Sequence, residues 1–263
     1  MSEPAASAGA GVPVRYELNG PVAWITMNRP ERRNALSAEV RHGLREAFDR
    51  FNADEAAAVA VLTGAGQKAF CAGGDLREMS DTSLQVPPVD FVPQLGRTIQ
   101  VDKPVIGAVN GAARAGGFLL AQNCDLLVAA EHASFAISEV KVGRGAPWAI
   151  PLVDVVGSRL AMQLLLTGEP IDAARAHQVG LVNQVVPPER LVPAAQELAE
   201  QIAANAPLSV RAAKATVQLA ERLPRAEAFE QAERLWEPVY RSADAQEGPL
   251  SFIEKRRPQW TGR

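Results

Sequence analysis

Apolar residues along this chain fall into two spacing classes, one strand-like and one helical. Val14–Leu18 and Val22–Met27 are short strand-like runs on either side of Asn19-Gly20-Pro21, which predicts a hairpin. Ser37 stands as N-cap of a helix running to about Phe51, with Val40, Leu44, Ala47, Phe48 and Phe51 on one face. The run from Ala58 to Gly64 is continuously apolar and ends in glycine, the signature of a strand buried on both faces. Val105–Val109, which stops at Asn110-Gly111, and Asp125–Ala130 repeat it. Strand, loop, helix and strand in this order predict an α/β fold with mostly parallel pairing. Ser80 to Gly96 holds Pro87, Pro88 and Pro93 and predicts an irregular excursion, with at most a short helix after it, of the kind that forms lids or binding loops.

From about Pro187 the pattern is helical to the end. Leu191, Ala194, Ala195, Leu198 and Ile202 share one face; Pro207 opens a second helix with Val210, Ala213, Lys214 and Val217; Phe229, Ala232, Trp236, Val239 and Tyr240 form a third stripe. Such stripes mark core or subunit interface. The expected layout is a flexible tail over 1–12, a core over 13–190 and a helical region over 191–263.

Composition narrows the classes. Hydrophobic residues make up 47% and charged residues 22% of 263 positions, which excludes wholesale disorder. Lys and Arg number 27 against 30 Asp and Glu, and the net charge of −3 gives no support to nucleic-acid binding. Two cysteines, Cys71 and Cys124, cannot form a disulfide framework, which points to a reducing, cytoplasmic setting. No apolar run approaches the ~20 residues of a membrane span. His42, His132 and His177 lack metal-ligand spacing and read as surface or capping residues; no metal site is expected.

Two glycine segments carry the candidate chemistry. Phe70–Met79 (FCAGGDLREM) and Asn110–Ala121 (NGAARAGGFLLA) each follow a strand. Paired glycines let the backbone turn tightly and approach a ligand, and free N–H groups at such turns attract negative charge. Neither a Gly-Lys-Ser/Thr phosphate loop nor a Gly-x-Gly-x-x-Gly fingerprint is present, which removes the usual support for nucleotide hydrolysis or dinucleotide redox chemistry.

Together these segments resemble the enoyl-CoA hydratase/isomerase (crotonase) family. The resemblance extends from about Val14 to Trp260 and includes Asn28–Leu36 (NRPERRNAL), Phe135–Glu139 (FAISE), Leu166–Ala174 (LTGEPIDAA), Val179–Val182 (VGLV) and Glu247–Lys255 (EGPLSFIEK). One motif alone is weak; all of them in order specify the family but not the reaction. The resemblance implies a spiral of ββα units with C-terminal helices that build homo-trimers or hexamers. It implies acyl-CoA as substrate, with coenzyme A part of that substrate and no separate cofactor. It carries two backbone donors for a thioester enolate onto Gly74 and Gly117, and coenzyme A contacts onto Arg32, onto the backbone at Ala72 and Gly73, and onto Lys255. Asp75, Leu76 and Leu119 fall beside them as substrate contacts. Arg33 and Arg256 read as surface charges, and Cys71 as a small buried residue.

The carboxylates bear on the reaction. Hydratases of this family use two glutamates. One maps onto Glu139, while the position of the other is Leu119, and Phe118, Leu120 and Ala121 offer no substitute. A single carboxylate suits a 3-enoyl to 2-enoyl isomerisation, with Glu139 taking and returning the proton; hydration at one carboxylate stays open. Pro147 stands where other family chemistries carry an additional acid. Arg114 and Arg144 depart from apolar family positions, and Arg144 would face a polar acyl group or a nearby acid. Trp148 and Phe118 would line the acyl pocket or pack in the core. A non-catalytic acyl-CoA binding or scaffold protein is the alternative.

Overall fold

The computed structural model describes residues 11–83 and 85–263. Most of the predicted tail, 1–12, lies outside the described residues. The hairpin forms as the sequence predicts: β1 (Val14–Asn19) pairs antiparallel with β2 (Val22–Met27). Helix α1 (Ala38–Ala53) buries the five predicted residues, Val40, Leu44, Ala47, Phe48 and Phe51. Ser37 sits at its N-cap position, but its hydroxyl makes no capping bond. The cap comes from elsewhere in the chain, because Glu78 Oε2 accepts from Ala38 N at 2.7 Å.

After β3 (Val59–Gly64) come β4 (Ala69–Cys71), α2 (Leu76–Asp81), β5 (Val105–Val109), β6 (Ala112–Arg114), α3 (Gly116–Gln122), β7 (Leu126–Ala130) and β8 (Ser134–Ala136). Next are α4 (Leu152–Thr167), β9 (Ile171–Asp172), α5 (Ala173–Gln178), β10 (Gln184–Val186) and four helices, α6 (Leu191–Ala203), α7 (Pro207–Arg222), α8 (Arg225–Arg241) and α9 (Ala243–Ile253). Two sheets result. The larger runs β1-β2-β3-β5-β7-β10 and is parallel beyond the hairpin; the smaller runs β4-β6-β8-β9. The smaller sheet and β10 did not show in the sequence, because strands of two or three residues are too short for any periodicity.

Two cores follow from this layering. One lies between the sheets and α1, α3 and α4, and includes Phe48, Phe70, Phe118 and Phe135. The other lies between the larger sheet and α6, where Val59, Val61, Ile106 and Val128 meet Leu191, Ala194 and Ala195. The central strands are buried on both faces, as their continuous apolar character requires.

The helical region departs from the expected stripes in part. In α6 the predicted face packs on the sheet. In α7 the buried residue is Ala212, while Ala213 and Val217 of the predicted stripe are exposed and Lys214 of that stripe turns toward the core. Lys214 Nζ lies 2.9 Å from Asp125 Oδ2 and 2.9 Å from Lys103 O, while Asp125 Oδ2 also accepts from Val105 N at 2.7 Å. Phe229 and Tyr240 of α8 are exposed and line, with Trp236, a crevice of about 650 Å³.

Ser80 and Asp81 of the predicted excursion belong to α2; apart from Leu84, the rest of it, Thr82–Gly96, is irregular as expected but tied down. Arg41 places its guanidinium 3.9 Å from the Phe91 ring centroid, and Arg45 pairs with Asp90 at 3.2 Å. Among the described residues no helix is long and apolar enough to cross a membrane.

Lys214→Met should loosen α7 from the core by removing its bonds to Asp125 and to Lys103 O. The expected loss is about 1–3 kcal/mol of unfolding free energy, read by urea denaturation.

Candidate functional site

Strands β4, β6 and β8 run parallel, with Cys71 opposite Ala113 and Arg114 opposite Ala136. Their C-terminal ends therefore share one edge, and a candidate segment leaves each: Ala72-Gly73-Gly74 from β4, Ala115-Gly116-Gly117 from β6, and Ile137-Ser138-Glu139 from β8. In open α/β sheets, ligands bind beyond the carboxyl ends of the strands.

The two glycine turns are packed into each other. A Cβ on Gly73 would stand 2.8 Å from Ala115 Cβ, and one on Gly117 would stand 2.1 Å from Cys71 O. No side chain fits either place, so the approach of the turns depends on glycine there. Ala115 takes φ 50°, ψ −123°, a sparsely populated region, and its N–H donates to Ala136 O at 3.0 Å, tying the second turn to β8. Among the described residues, neither Gly74 N–H nor Gly117 N–H finds an acceptor, while the next amides, Phe118 and Leu119, donate to Ala115 O at 2.8 and 3.0 Å.

Two asparagines hold the approach to β4. Asn34 is fully buried; its Nδ2 donates to Ala65 O at 3.0 Å and Ala69 O at 2.9 Å, and its Oδ1 accepts from Arg29 N at 3.0 Å. Asn110 Nδ2 donates to Gly66 O at 2.6 Å, and its Oδ1 accepts from Gly64 N at 3.2 Å. Sequence reasoning quoted both residues inside motifs without giving them a role. An asparagine directly before a glycine or an apolar run was the available signal.

Glu139 opens a 3₁₀ turn over Ser138–Val142 and is 9% exposed. Trp148 Nε1 donates to Glu139 Oε1 at 3.1 Å, whereas the buried Oε2 has no protein partner. Burial raises the carboxyl above its ordinary value, opposed more weakly by its own backbone N–H and by Trp148; no charged neighbour contributes. The Trp148 ring lies edge-on to Phe118, with centroids 6.0 Å apart, and Phe118 directly follows Gly117. Of the two sequence readings, core packing holds for Phe118, which is fully buried, while Trp148 is half-buried against the carboxylate. Leu119 is 4% exposed and packed in the core that also holds Ile137, Ala149 and Leu152.

The coenzyme A candidates are more dispersed. Arg32 is exposed at the end of the 3₁₀ turn Pro30–Arg32. Ala72 N–H is used, donating to Arg33 O at 3.0 Å, and Gly73 O accepts from Leu36 N at 2.8 Å. The Ala72 carbonyl is the backbone group of this pair that accepts from no described residue. Asp75 caps α2 by accepting from Arg77 N at 3.2 Å and Glu78 N at 3.5 Å, and lies 3.5 Å from Arg29 Nη1. Leu76 beside it is 61% exposed. Lys255 is exposed, and among the described residues no hydrogen bond or ion pair joins it to the Arg32 turn. Arg256 is held by Glu247 and Glu254, each at 2.5 Å. Arg114 donates to Ser134 O at 2.7 Å and Ser134 Oγ at 2.9 Å, a consequence of the β6–β8 register. Arg144 gives its backbone N–H to Glu139 O at 2.9 Å.

The remaining reactive side chains are structural. Burial pushes the Cys71 thiol up to about 12 and raises Cys124 as well, so neither is a thiolate near neutral pH. His132 Nε2 lies between Gln67 O at 2.9 Å and Asn110 O at 3.1 Å; His177 Nδ1 meets Val182 O at 2.9 Å; His42 pairs with Glu46 on the surface.

This chain belongs to the enoyl-CoA hydratase/isomerase family, whose model matches residues 17–263. It has the mixed α/β crotonase fold. Among curated relatives it is 38% identical over 259 residues to carnitinyl-CoA dehydratase of Salmonella arizonae, covering 95% of this chain and 98% of that one. It is 38% identical over 262 residues to (E)-benzylidenesuccinyl-CoA hydratase of Thauera aromatica, covering 95% of this chain and all of the relative. Among solved structures, enoyl-CoA hydratase EchA1 from Mycobacterium marinum superposes with a TM-score of 0.88 at 38% identity, covering 96% of this chain and 100% of that one.

Two outcomes follow from the packing and the buried acid. Gly117→Ala must push against backbone and should cost on the order of 1–3 kcal/mol or more, while Gly74→Ala meets only the flexible Met79 Sδ at 2.9 Å and should stay near wild type; thermal melts of both compare them. The folded chain binds the Glu139 proton more tightly than the unfolded chain does. Stability therefore falls as pH rises through the window from the ordinary carboxyl value to the raised one. Glu139→Gln should accordingly melt higher than wild type at neutral pH, with the gap closing in acid.

Proposed function

We propose that this chain binds an acyl-CoA thioester and moves a proton along its acyl chain through an enolate, with Gly74 N–H and Gly117 N–H on the enolate oxygen and Glu139 as single acid and base. The observation that carries the proposal is the shared edge of the small sheet. Two amides without acceptors and one buried carboxylate with a bare oxygen leave neighbouring strand ends there.

For a 3-enoyl thioester, Glu139 takes a proton from C2. The electron pair of that C–H bond moves toward the carbonyl, and the charge develops on the thioester oxygen. Preorganised N–H donors stabilise such a charge, and removing one costs about 3–4 kcal/mol in comparable sites. The protonated Glu139 then gives the proton to C4, and the double bond moves into conjugation with the thioester. A raised carboxyl value suits a group that must both take and return a proton. Coenzyme A would lie toward Arg32, the Ala72 carbonyl and Gly73, with Asp75 and Leu76 beside the acyl chain and Lys255 supplied by the C-terminal region. Residues 191–263, including the exposed face of α8, would build a homo-trimer or hexamer around the 13–190 core.

Hydration or dehydration is the second reading, and the names of the relatives favour it: both the dehydratase and the hydratase act by loss or addition of water. In this reading Glu139 handles the proton at C2 while water adds at C3. Leu119 supplies no carboxylate to activate that water, and lacking one acid–base group costs about 10²–10⁴ in rate.

The ultraviolet absorbance of the conjugated enoyl thioester distinguishes the two. A rise from a 3-enoyl-CoA without loss from crotonyl-CoA supports isomerisation, and loss from crotonyl-CoA supports hydration. In either case Glu139→Gln should lower kcat/KM by about 10²–10⁴. Acyl-CoA binding with turnover untouched by that substitution would support the non-catalytic alternative.

A further inference from the structure

We infer that Trp148 is a positioning residue for Glu139, its indole N–H fixing one carboxylate oxygen so that the other is presented bare to the substrate. The inference rests on the single-carboxylate reading above and names what orients that carboxylate.

A glutamate has three side-chain torsions, and a buried one without partners samples several rotamers. Glu139 has one side-chain partner among the described residues, Trp148 Nε1 at 3.1 Å from Oε1. Its Oε2 is buried and bonded to nothing in the protein, which is costly unless the atom has work to do. A two-carboxylate site would let each acid orient its neighbour through a shared proton or water; here Leu119 leaves that task to another group. The indole is itself held. Its ring meets Phe118 edge-on at 6.0 Å, and the backbone carbonyl of Trp148 accepts from Gln122 Nε2 at 3.3 Å, so two residues of α3 hold Trp148. Helix α3 also carries Gly117 at its start. One rigid element therefore sets both the amide that would face the enolate oxygen and, through Trp148, the carboxylate that would face the carbon.

Charge does not do this work. In the Glu139 turn, Lys141 is engaged by Glu169 at 2.7 Å, and Arg144 gives Glu139 O its backbone N–H. Helix α4, packed on this turn, contributes only the exposed Asp154 and Arg159, and neither α3 nor β8 carries a titratable side chain. A neutral N–H donor holds a carboxylate without fixing its charge, as a group that alternates between acid and base requires.

The test is Trp148→Phe, which keeps a ring against Phe118 and removes the donor. A second variant with 3-benzothienylalanine at position 148 keeps the shape of the indole and lacks the N–H, so a folding defect in the first does not end the experiment. The first readout needs no substrate. Infrared titration of the carboxyl band that disappears in Glu139→Gln should move to higher pH in both variants, because the lost bond favoured the carboxylate. The second readout uses whichever of the 3-enoyl-CoA and crotonyl-CoA the wild type turns over. There kcat should fall about ten- to a hundredfold, the range for losing a hydrogen bond to a charged group, with KM nearly unchanged. A Glu139 band that titrates at the wild-type pH in both variants overturns the inference, as does a shifted band with full kcat. If the wild type turns over neither substrate, the functional reading fails by itself and the infrared titration alone decides the role of Trp148.

Discussion

The distance that organises this molecule is the approach of the Gly117 turn to the backbone of Cys71. A methyl group at Gly117 would lie 2.1 Å from Cys71 O, well inside contact. Because nothing separates the two turns, the ends of β4 and β6 lie as close as backbones permit. Among the described residues the amides of Gly74 and Gly117 are both without an acceptor, while the neighbouring N–H groups of Ala72, Phe118 and Leu119 are spent on holding the turns together. A larger residue at either Gly73 or Gly117 would separate the pair and open the candidate site at the edge of the small sheet.

Strands of three residues cannot hold such an arrangement alone, since few ladder bonds offset the ordering of their backbone. The asparagines supply the remainder. Asn34 and Asn110 both donate to Ala69 O, at 2.9 and 3.3 Å, and each also bonds the backbone of neighbouring segments. His132 joins Gln67 O to Asn110 O from outside. These side chains take the place of a longer ladder, and their burial makes each bond expensive to lose. The irregular segment after α2 is likewise held by arginines of α1. The rim of the site is thus anchored on both sides by side chain–backbone contacts.

The electrostatics of Glu139 fit this rigidity. Its carboxyl is raised by burial and not by a neighbouring charge, so its proton affinity is set by how well the apolar surroundings exclude water. Trp148, bonded to the carboxylate and edge-on to Phe118, is part of that exclusion.

The chain's own pattern determined much of this protein. The hairpin, the five-residue buried face of α1, the central parallel strands and the helical end were legible because their periodicity extends over five residues or more. The family was legible because its motifs stand in order along the chain. The second sheet was not legible, since strands of two or three residues have no period, nor was the burial of Ala212 in place of Ala213 and Val217 in α7. Only the tertiary structure decided that Glu78 and not Ser37 caps α1. Only it brought Trp148 to Glu139, nine residues away along a turn. In each case the deciding bond joins segments whose distance in space is set by packing, which local spacing does not encode.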